Sequence, residues 1–195
     1  MNKFYELNFE QFGFDPRSLG WADKRSQEER FQKIIDSGIA SGDSVLDVGS
    51  GFSDFFIFAN DKLGHIDYTG IEKQSNFAKI AKDNVVKEKG KIINGDIWET
   101  KINKNFDWVI ASGLFPFEYE GYSEDLYYTV KKMFLMCKKG VCFNLLSSRT
   151  PDEEKFPLMK YNDPSSVVEV VASISNKFNL FHGYMNNDMT IQIYR

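Results

Sequence analysis

The segment Ser44-Val45-Leu46-Asp47-Val48-Gly49-Ser50-Gly51-Phe52-Ser53 constrains the fold more than any other part of the chain. Val45, Leu46 and Val48 read as a buried strand. Gly49 and Gly51 follow as a turn where bare backbone can approach a ligand, and Asp54-Phe55-Phe56-Ile57-Phe58-Ala59 reads as the start of a helix. A strand that stops on a glycine turn before a helix leaves backbone N–H groups exposed at the carboxyl edge of the sheet. Open α/β sheets bind nucleotides there. A second strand, Asp67-Tyr68-Thr69-Gly70-Ile71, ends on Glu72, 21 residues after Gly51. That interval is close to the roughly 20-residue spacing of an acid that holds a ribose. The two features together point to a nucleoside ligand.

A nicotinamide dinucleotide suits the loop poorly. Its fingerprint calls for a third glycine three residues after the second, to pack the helix and admit a pyrophosphate; here that position is Asp54. A carboxylate at a helix N-terminus interacts well with the helix dipole but repels phosphates. A site bordered by Asp47, Asp54 and Glu72 suits a ligand with a ribose and a positive centre, and S-adenosylmethionine, with its sulfonium and ammonium, is such a ligand.

The run Val45-Leu46-Asp47-Val48-Gly49-Ser50-Gly51 resembles the glycine-rich first motif of the class I S-adenosylmethionine-dependent methyltransferases. Tyr68-Thr69-Gly70-Ile71-Glu72 resembles their second strand with its ribose-binding acid. Asn94-Gly95-Asp96-Ile97 is similar to the third strand end, and Phe106-Asp107-Trp108-Val109-Ile110-Ala111-Ser112 to the fourth strand. The motifs stand in family order over roughly residues 40 to 150, with Ser53 where many members carry a further glycine. The resemblance implies an α/β, three-layer Rossmann-like sandwich with a mostly parallel seven-stranded sheet and an antiparallel C-terminal hairpin. It implies one domain over 1–195, with an N-terminal arm and lid helix over 1–40 and the core over 41–195.

The resemblance also assigns roles. Glu72 accepts both ribose hydroxyls, and Asp96 accepts from the adenine amino group between Ile97 and Trp98. Asp47 accepts from loop N–H groups or the ligand ammonium, while Gly49, Ser50 and Gly51 make room for the methionine portion. Ser112 and Gly113 present carbonyls toward the sulfonium methyl, and Lys73 completes the set. Gly20-Trp21, Gln27 and Arg30-Phe31 look like the lead-in of a subset of small bacterial methyltransferases; Trp21, Gln27 and Arg30 would roof the site, with Arg30 on the ligand carboxylate.

Composition narrows the partners. A chain of 195 residues reads as one domain that needs no disulfide or structural metal. A net charge of −4 argues against a protein that tracks nucleic-acid backbone. Cys137 and Cys142, on either side of an expected turn, fit neither a metal knuckle nor a redox pair and read as buried filler. Met1-Asn2-Lys3-Phe4-Tyr5-Glu6 carries no apolar signal core, and no stretch approaches the ~20 apolar residues of a membrane span. A cytoplasmic protein without a metal or membrane partner is the expectation.

Along the chain, residues 1–22 read as a poorly periodic arm or lid rather than a core element, and Ser26 with Glu29 as a capping box opening a helix with Phe31, Ile34 and Ile35. Ser75 caps a helix that ends at Gly90, and Lys91-Ile92-Ile93-Asn94 is a short strand. An aromatic and acidic loop, 114–122, precedes a helix whose apolar face runs Leu126, Val130, Met133, Phe134 and Cys137. A strand runs from Gly140 to Leu146, residues 147–163 read as an inserted loop, and Asp163-Pro164 opens a last helix. Two closing strands flank Asn186-Asn187-Asp188.

The implied reaction is an in-line displacement that moves a methyl group to an O or N nucleophile, leaving S-adenosylhomocysteine. Alignment is its main need. Glu118, Tyr119 and His182 are the candidate bases, and none is singled out by its neighbours in sequence. A small-molecule acceptor leads. A protein or nucleic-acid methyltransferase of the same fold and a non-catalytic cofactor-binding partner subunit stay open, as does the oligomeric state. The fourth strand runs into Ser112-Gly113-Leu114-Phe115, without the Asn/Asp-Pro-Pro-aromatic tetrad of amino-group base methylases.

Overall fold

The computed structural model describes residues 2–195; the reading of the N-terminus at Met1 lies outside them. The chain forms two compact units, one up to Asn103 and the other Lys104–Arg195.

The first unit runs α1 (Asn2–Phe12), a 3-10 turn (Pro16–Leu19), α2 (Lys24–Ile35), β1 (Ser44–Val48), α3 (Asp54–Leu63), β2 (Asp67–Glu72), α4 (Ser75–Val85) and β3 (Lys91–Asn94). β2 lies between its parallel neighbours, with Val48 opposite Ile71 and Glu72 opposite Asn94. Val45, Leu46 and Val48 are all buried, the near-continuous apolar run of a strand covered on both faces. Phe55, Phe56 and Ala59 of α3 are buried, and Phe31 of α2 meets Phe55 edge-on at 5.5 Å. This packing brings the carboxyl ends of β1, β2 and β3 side by side, and every motif of the first unit lies there.

The structure corrects two readings here. The N-terminal residues, read as poorly periodic, form a regular helix and a 3-10 turn. Tyr5, Phe9 and Phe12 do stand at helical spacing, and α1 seats Phe9 on Phe77 and Phe52 at 5.6 and 6.2 Å. The second correction concerns α2, which starts three residues earlier than Ser26 suggested. Asp23 is its N-cap and accepts from Ser26 N at 2.7 Å, while the Ser26 hydroxyl faces the Asp23 N–H in return. Asp23→Ala should therefore cost about 1 kcal/mol, a fall in Tm of about 2–4 °C in a thermal melt. An unchanged Tm would reassign the cap.

The second unit runs β4 (Phe106–Ala111), α5 (Tyr122–Met136), β5 (Cys137–Leu146), a 3-10 turn (Asp152–Glu154), α6 (Pro164–Ala172), β6 (Phe178–His182) and β7 (Asp188–Tyr194). β4 and β5 are parallel; β5–β7 and β7–β6 are antiparallel. Asp163 caps α6 by accepting from Ser166 N at 3.1 Å, as its Asp-Pro start suggested. Residues 147–163 are held by bridges from Ser147 to Asn162 and from Met159 to Phe117.

β5 begins at Cys137 rather than Gly140, so the two cysteines share one strand instead of flanking a turn. Both are buried and neither forms a disulfide. Gly140 is a site of close approach: a Cβ there would stand 2.5 Å from the Ile193 carbonyl oxygen and 2.7 Å from the Trp108 ring. The seven strands make the mostly parallel sheet with antiparallel C-terminal strands that the sequence implied. Among the described residues, no helix is long and apolar enough to cross a membrane.

Candidate functional site

The glycine loop after β1 turns on two left-handed residues, Gly49 (φ 75°) and Gly51 (φ 54°). Its N–H groups do not face outward as the strand–turn–helix pattern suggested. Gly49 N and Ser50 N donate to the Ile71 carbonyl at 2.9 and 3.0 Å, and Gly51 N donates to Glu72 Oε2 at 2.8 Å. The loop is thus tied to the tip of β2, and its donors are not left bare for a phosphate. The Ser50 hydroxyl lies 2.7 Å from where a Cβ on Gly70 would stand, so β2 needs glycine there. Ser53 is itself left-handed (φ 63°), and adopts the backbone that the resemblance associates with glycine.

Glu72 is the hub of these contacts. It is 7% exposed; besides the Gly51 bond, its Oε1 accepts from Gln74 N at 2.7 Å. The sequence reading gave both oxygens to ribose hydroxyls. Both oxygens already serve backbone donors, and a carboxylate's roughly four acceptor positions leave room beside them for a ligand hydroxyl. Burial pushes the carboxyl's pKa up, and the N–H groups of Gln74, Gly51 and Lys73 pull it partly back. Gly95 N and the Asn94 side-chain amide both donate to the Glu72 carbonyl at 2.9 Å, which draws the β3 tip in as well.

Two further carboxylates stand nearby in the fold. Asp47, on β1, is buried and accepts from the Tyr68 hydroxyl at 2.7 Å. Its observed partner is thus a phenol rather than the loop N–H groups expected from sequence. Burial raises its pKa to about 7; the Tyr68 bond opposes this, and the charges of Glu72 and Asp54 add to it. Asp54, first residue of α3, accepts from Gln27 Nε2 at 3.1 Å, and burial raises its pKa too. The Gln27 contact connects α2 to this acidic edge. One turn on, the buried Arg30 donates to the Ser26 carbonyl at 2.7 Å and lies 5.0 Å from the Trp21 ring centre. Trp21 thus lies on Arg30, while Gln27 of the same helix reaches Asp54.

At the β3 tip, Lys73 Nζ pairs with Asp96 Oδ2 at 3.1 Å, and Trp98 N donates to Asp96 Oδ1 at 2.8 Å. Ile97 is buried, whereas Trp98 is 52% exposed and lies outside the core. Tyr68 and Asn94 were missed as site residues by sequence reasoning. The available signal for Tyr68 was a hydroxyl on a strand buried on both faces, which must find a partner.

In the second unit, Ser112 and Gly113 follow β4. Gly113 (φ 71°) donates its N–H to Asn144 Oδ1 at 2.8 Å, and the Ser112 hydroxyl is enclosed without a hydrogen-bond partner. The three candidate bases each have their own partner. Glu118 pairs with Lys160 at 2.6 Å, and Tyr119 donates to Asp125 at 3.0 Å with its phenol pushed up to about 12, chiefly by burial. His182 Nε2 lies 2.7 Å from the Ser147 hydroxyl. Among the described residues, no group of three or more His, Cys, Asp or Glu is arranged to hold a metal ion.

No family model matches the sequence, and no curated protein does. Solved structures match over most of the chain. A DhpI–S-adenosylhomocysteine complex aligns with 100% of this chain and 93% of its own at TM-score 0.69 and 13% identity. An S-adenosylmethionine-dependent methyltransferase from Aquifex aeolicus aligns over 93% and 98% at TM-score 0.64 and 17% identity. Magnesium protoporphyrin IX methyltransferase from Synechocystis PCC 6803, with bound S-adenosylmethionine, aligns over 88% and 78% at TM-score 0.64 and 10% identity. The fold is that of the class I S-adenosylmethionine-dependent methyltransferases. Within the methyltransferase fold, the Gly51–Glu72 bond joins the two motifs that the sequence reading took for a nucleoside clamp.

Proposed function

We propose that this chain is an S-adenosylmethionine-dependent methyltransferase that moves a methyl group by in-line displacement to an O or N nucleophile of a small molecule. The observation that carries the reading is Glu72, buried at the tip of β2 and bonded to the glycine loop, in a chain of this fold. The donor set supports the cofactor on chemical grounds. Asp47, Asp54 and Glu72 are enclosed carboxyl groups whose pKa values are all raised by burial, an environment that repels phosphate and favours a cationic ligand.

S-adenosylmethionine supplies an electrophilic methyl on a positive sulfur. The chain's own residues bind and orient it. Glu72 takes the ribose hydroxyls on its remaining lone pairs, and Asp96 takes the adenine amino group, with Ile97 and Trp98 beside the ring. Asp47 and the glycine loop set the methionine end, and Arg30 serves the ligand carboxylate under Trp21 and Gln27. Ser112 and Gly113 steer the methyl. The rate then comes from alignment rather than a dedicated base: Glu118 is held by Lys160, and the Tyr119 phenol binds its proton too tightly to act near neutrality. A small-molecule acceptor is supported by the acidic chain and by the Synechocystis neighbour, whose name specifies a porphyrin. The same engaged side chains also suit a cofactor-binding subunit without turnover. We place the protein in the cytoplasm.

Calorimetry should find S-adenosylhomocysteine binding with a Kd in the micromolar range while NADH gives no signal. Binding of NADH alone, or of neither, would remove the proposal. Transfer of radiolabelled methyl to a metabolite pool, rather than to peptide or RNA pools or to none, then separates the small-molecule enzyme from its alternatives.

A further inference from the structure

Two hydroxyl groups of the glycine loop are enclosed without a hydrogen-bond partner among the described residues, those of Ser50 and Ser53. The residues that carry them are 8% and 0% exposed. An unpaired polar group is costly in such a place, and two in one short loop call for a physical reason.

Strand register places both hydroxyls. Asp47 stands opposite Gly70, and Tyr68, two residues before Gly70, shares its face of β2. The Ser50 hydroxyl lies 2.7 Å from the Cβ position that Gly70 leaves bare, so it fills the hollow on that face. There the Tyr68 hydroxyl donates to Asp47 at 2.7 Å. α3 covers the same face, with the Phe56 and Tyr68 ring centres 4.8 Å apart. Ser53 is the N-cap residue of α3, yet its side chain makes no cap bond. Both serine hydroxyls act instead on the Tyr68 phenol, pulling its pKa down against burial. The charges that act on Asp47 are Glu72, from β2, and Asp54, from α3; both oppose its ionisation, and the Tyr68 bond favours it.

We infer that Ser50 and Ser53 are positioning residues for the cationic end of the ligand: they form with Tyr68 a chain of hydroxyl donors beneath the glycine loop, which serves Asp47 when that acid gives up its proton. The inference rests on the proposed S-adenosyl ligand. While Asp47 is protonated, the serine hydroxyls are spare. Once a positive centre stands beside Asp47 and its proton leaves to water, the buried carboxylate needs stronger donors than a lone phenol. A serine that turns its O–H to the Tyr68 oxygen supplies this, because a phenol that accepts a hydrogen bond donates more strongly in turn. Ser53 thus keeps the left-handed backbone (φ 63°) that glycine would give and adds a donor that glycine lacks.

Ser53→Gly is the variant of choice, since glycine takes this backbone without strain; should it fail to fold, Ser50→Ala carries the same test. Carbon-13 NMR titration of the carboxyl groups in the ligand-free full chain, with Asp47 assigned by its loss in Asp47→Asn, reads the acid directly. Ser53→Gly should raise the Asp47 midpoint by about half a pH unit or more. In a Tyr68→Phe background the same substitution should add little, because the phenol is the link. Calorimetry across pH should show S-adenosylhomocysteine losing affinity below a pH that moves up with that midpoint. A serine that only holds the loop in shape would lower stability and leave both profiles in place. An unchanged midpoint in the folded variant, a full extra shift in Tyr68→Phe, or an affinity profile that stays while the midpoint moves overturns the inference. Wild-type protein that fails to bind S-adenosylhomocysteine removes instead the functional reading, and the carboxyl titration still decides the chain of donors.

Discussion

Glu72→Ala should weaken S-adenosylhomocysteine binding by more than tenfold and destabilise the protein as well. Hydrogen bonds to a charged group contribute about 1.5–3 kcal/mol each, and about 1.4 kcal/mol is a factor of ten in Kd. Loss of even one ribose contact therefore meets the tenfold mark. The stability cost has a separate cause. Glu72 accepts from Gly51 N and Gln74 N, and alanine leaves both donors without that acceptor in an enclosed place. An unsatisfied buried donor costs about 1–3 kcal/mol. The Ile71 carbonyl still accepts from the loop, but the bond between Gly51 and the tip of β2 is gone. Glu72→Gln separates the two effects, because it is close in size and keeps one carbonyl oxygen as acceptor. Calorimetry and urea titration on both variants give the two numbers. Unchanged affinity in Glu72→Ala would remove the ribose assignment, and unchanged stability would remove the clamp.

The sequence carried the first part of this argument and not the second. Val45–Ser53 and Glu72 were legible because a buried strand, a glycine turn and an acid at a fixed interval are local patterns along the chain. That Glu72 Oε2 accepts from Gly51 N is a contact across 21 residues, and no periodicity encodes it. Tyr68 was hidden for the same reason: its role as donor to Asp47 depends on β1 and β2 lying in register, Val45 opposite Tyr68. The turn expected between Cys137 and Cys142 is instead the start of β5, and Gly140, which admits the Trp108 ring, gave no sign in one dimension that the strand began before it. In α1 the helical stripe Tyr5, Phe9 and Phe12 was present, but Phe4, Gly13 and Phe14 around it blurred the period. The elements that pattern reading placed well are those whose signal lies within one strand or cap, such as Asp163-Pro164 and the C-terminal hairpin.

The stability of the ligand-free protein should fall as pH rises from about 4 to about 7 and then level off, with Asp47 the main cause. Its pKa is about 7 in the folded protein against an ordinary value of 3.8, so between those values the folded state holds a proton that the unfolded chain has released. Stability is then fully present below the lower value and is lost as pH climbs through the upper one. The difference corresponds to at most about 4 kcal/mol. Asp54 and Glu72 shift in the same direction and add to the slope. Asp47→Asn keeps an oxygen to accept from Tyr68 but has no proton to release, so it should remove most of that slope. Its absolute stability is a poorer readout, because the new amide brings a buried donor that needs a partner. The slope of unfolding free energy against pH, from urea titrations between pH 4.5 and about 8, is the measurement that decides. A flat wild-type profile, or an Asn variant with the wild-type slope, sinks the assignment. The same proton bears on the ligand: a cation placed beside Asp47 favours its ionised form. S-adenosylmethionine binding near pH 6.5 should therefore release protons, seen as a dependence of the calorimetric heat on the ionisation enthalpy of the buffer, and Asp47→Asn should abolish that dependence.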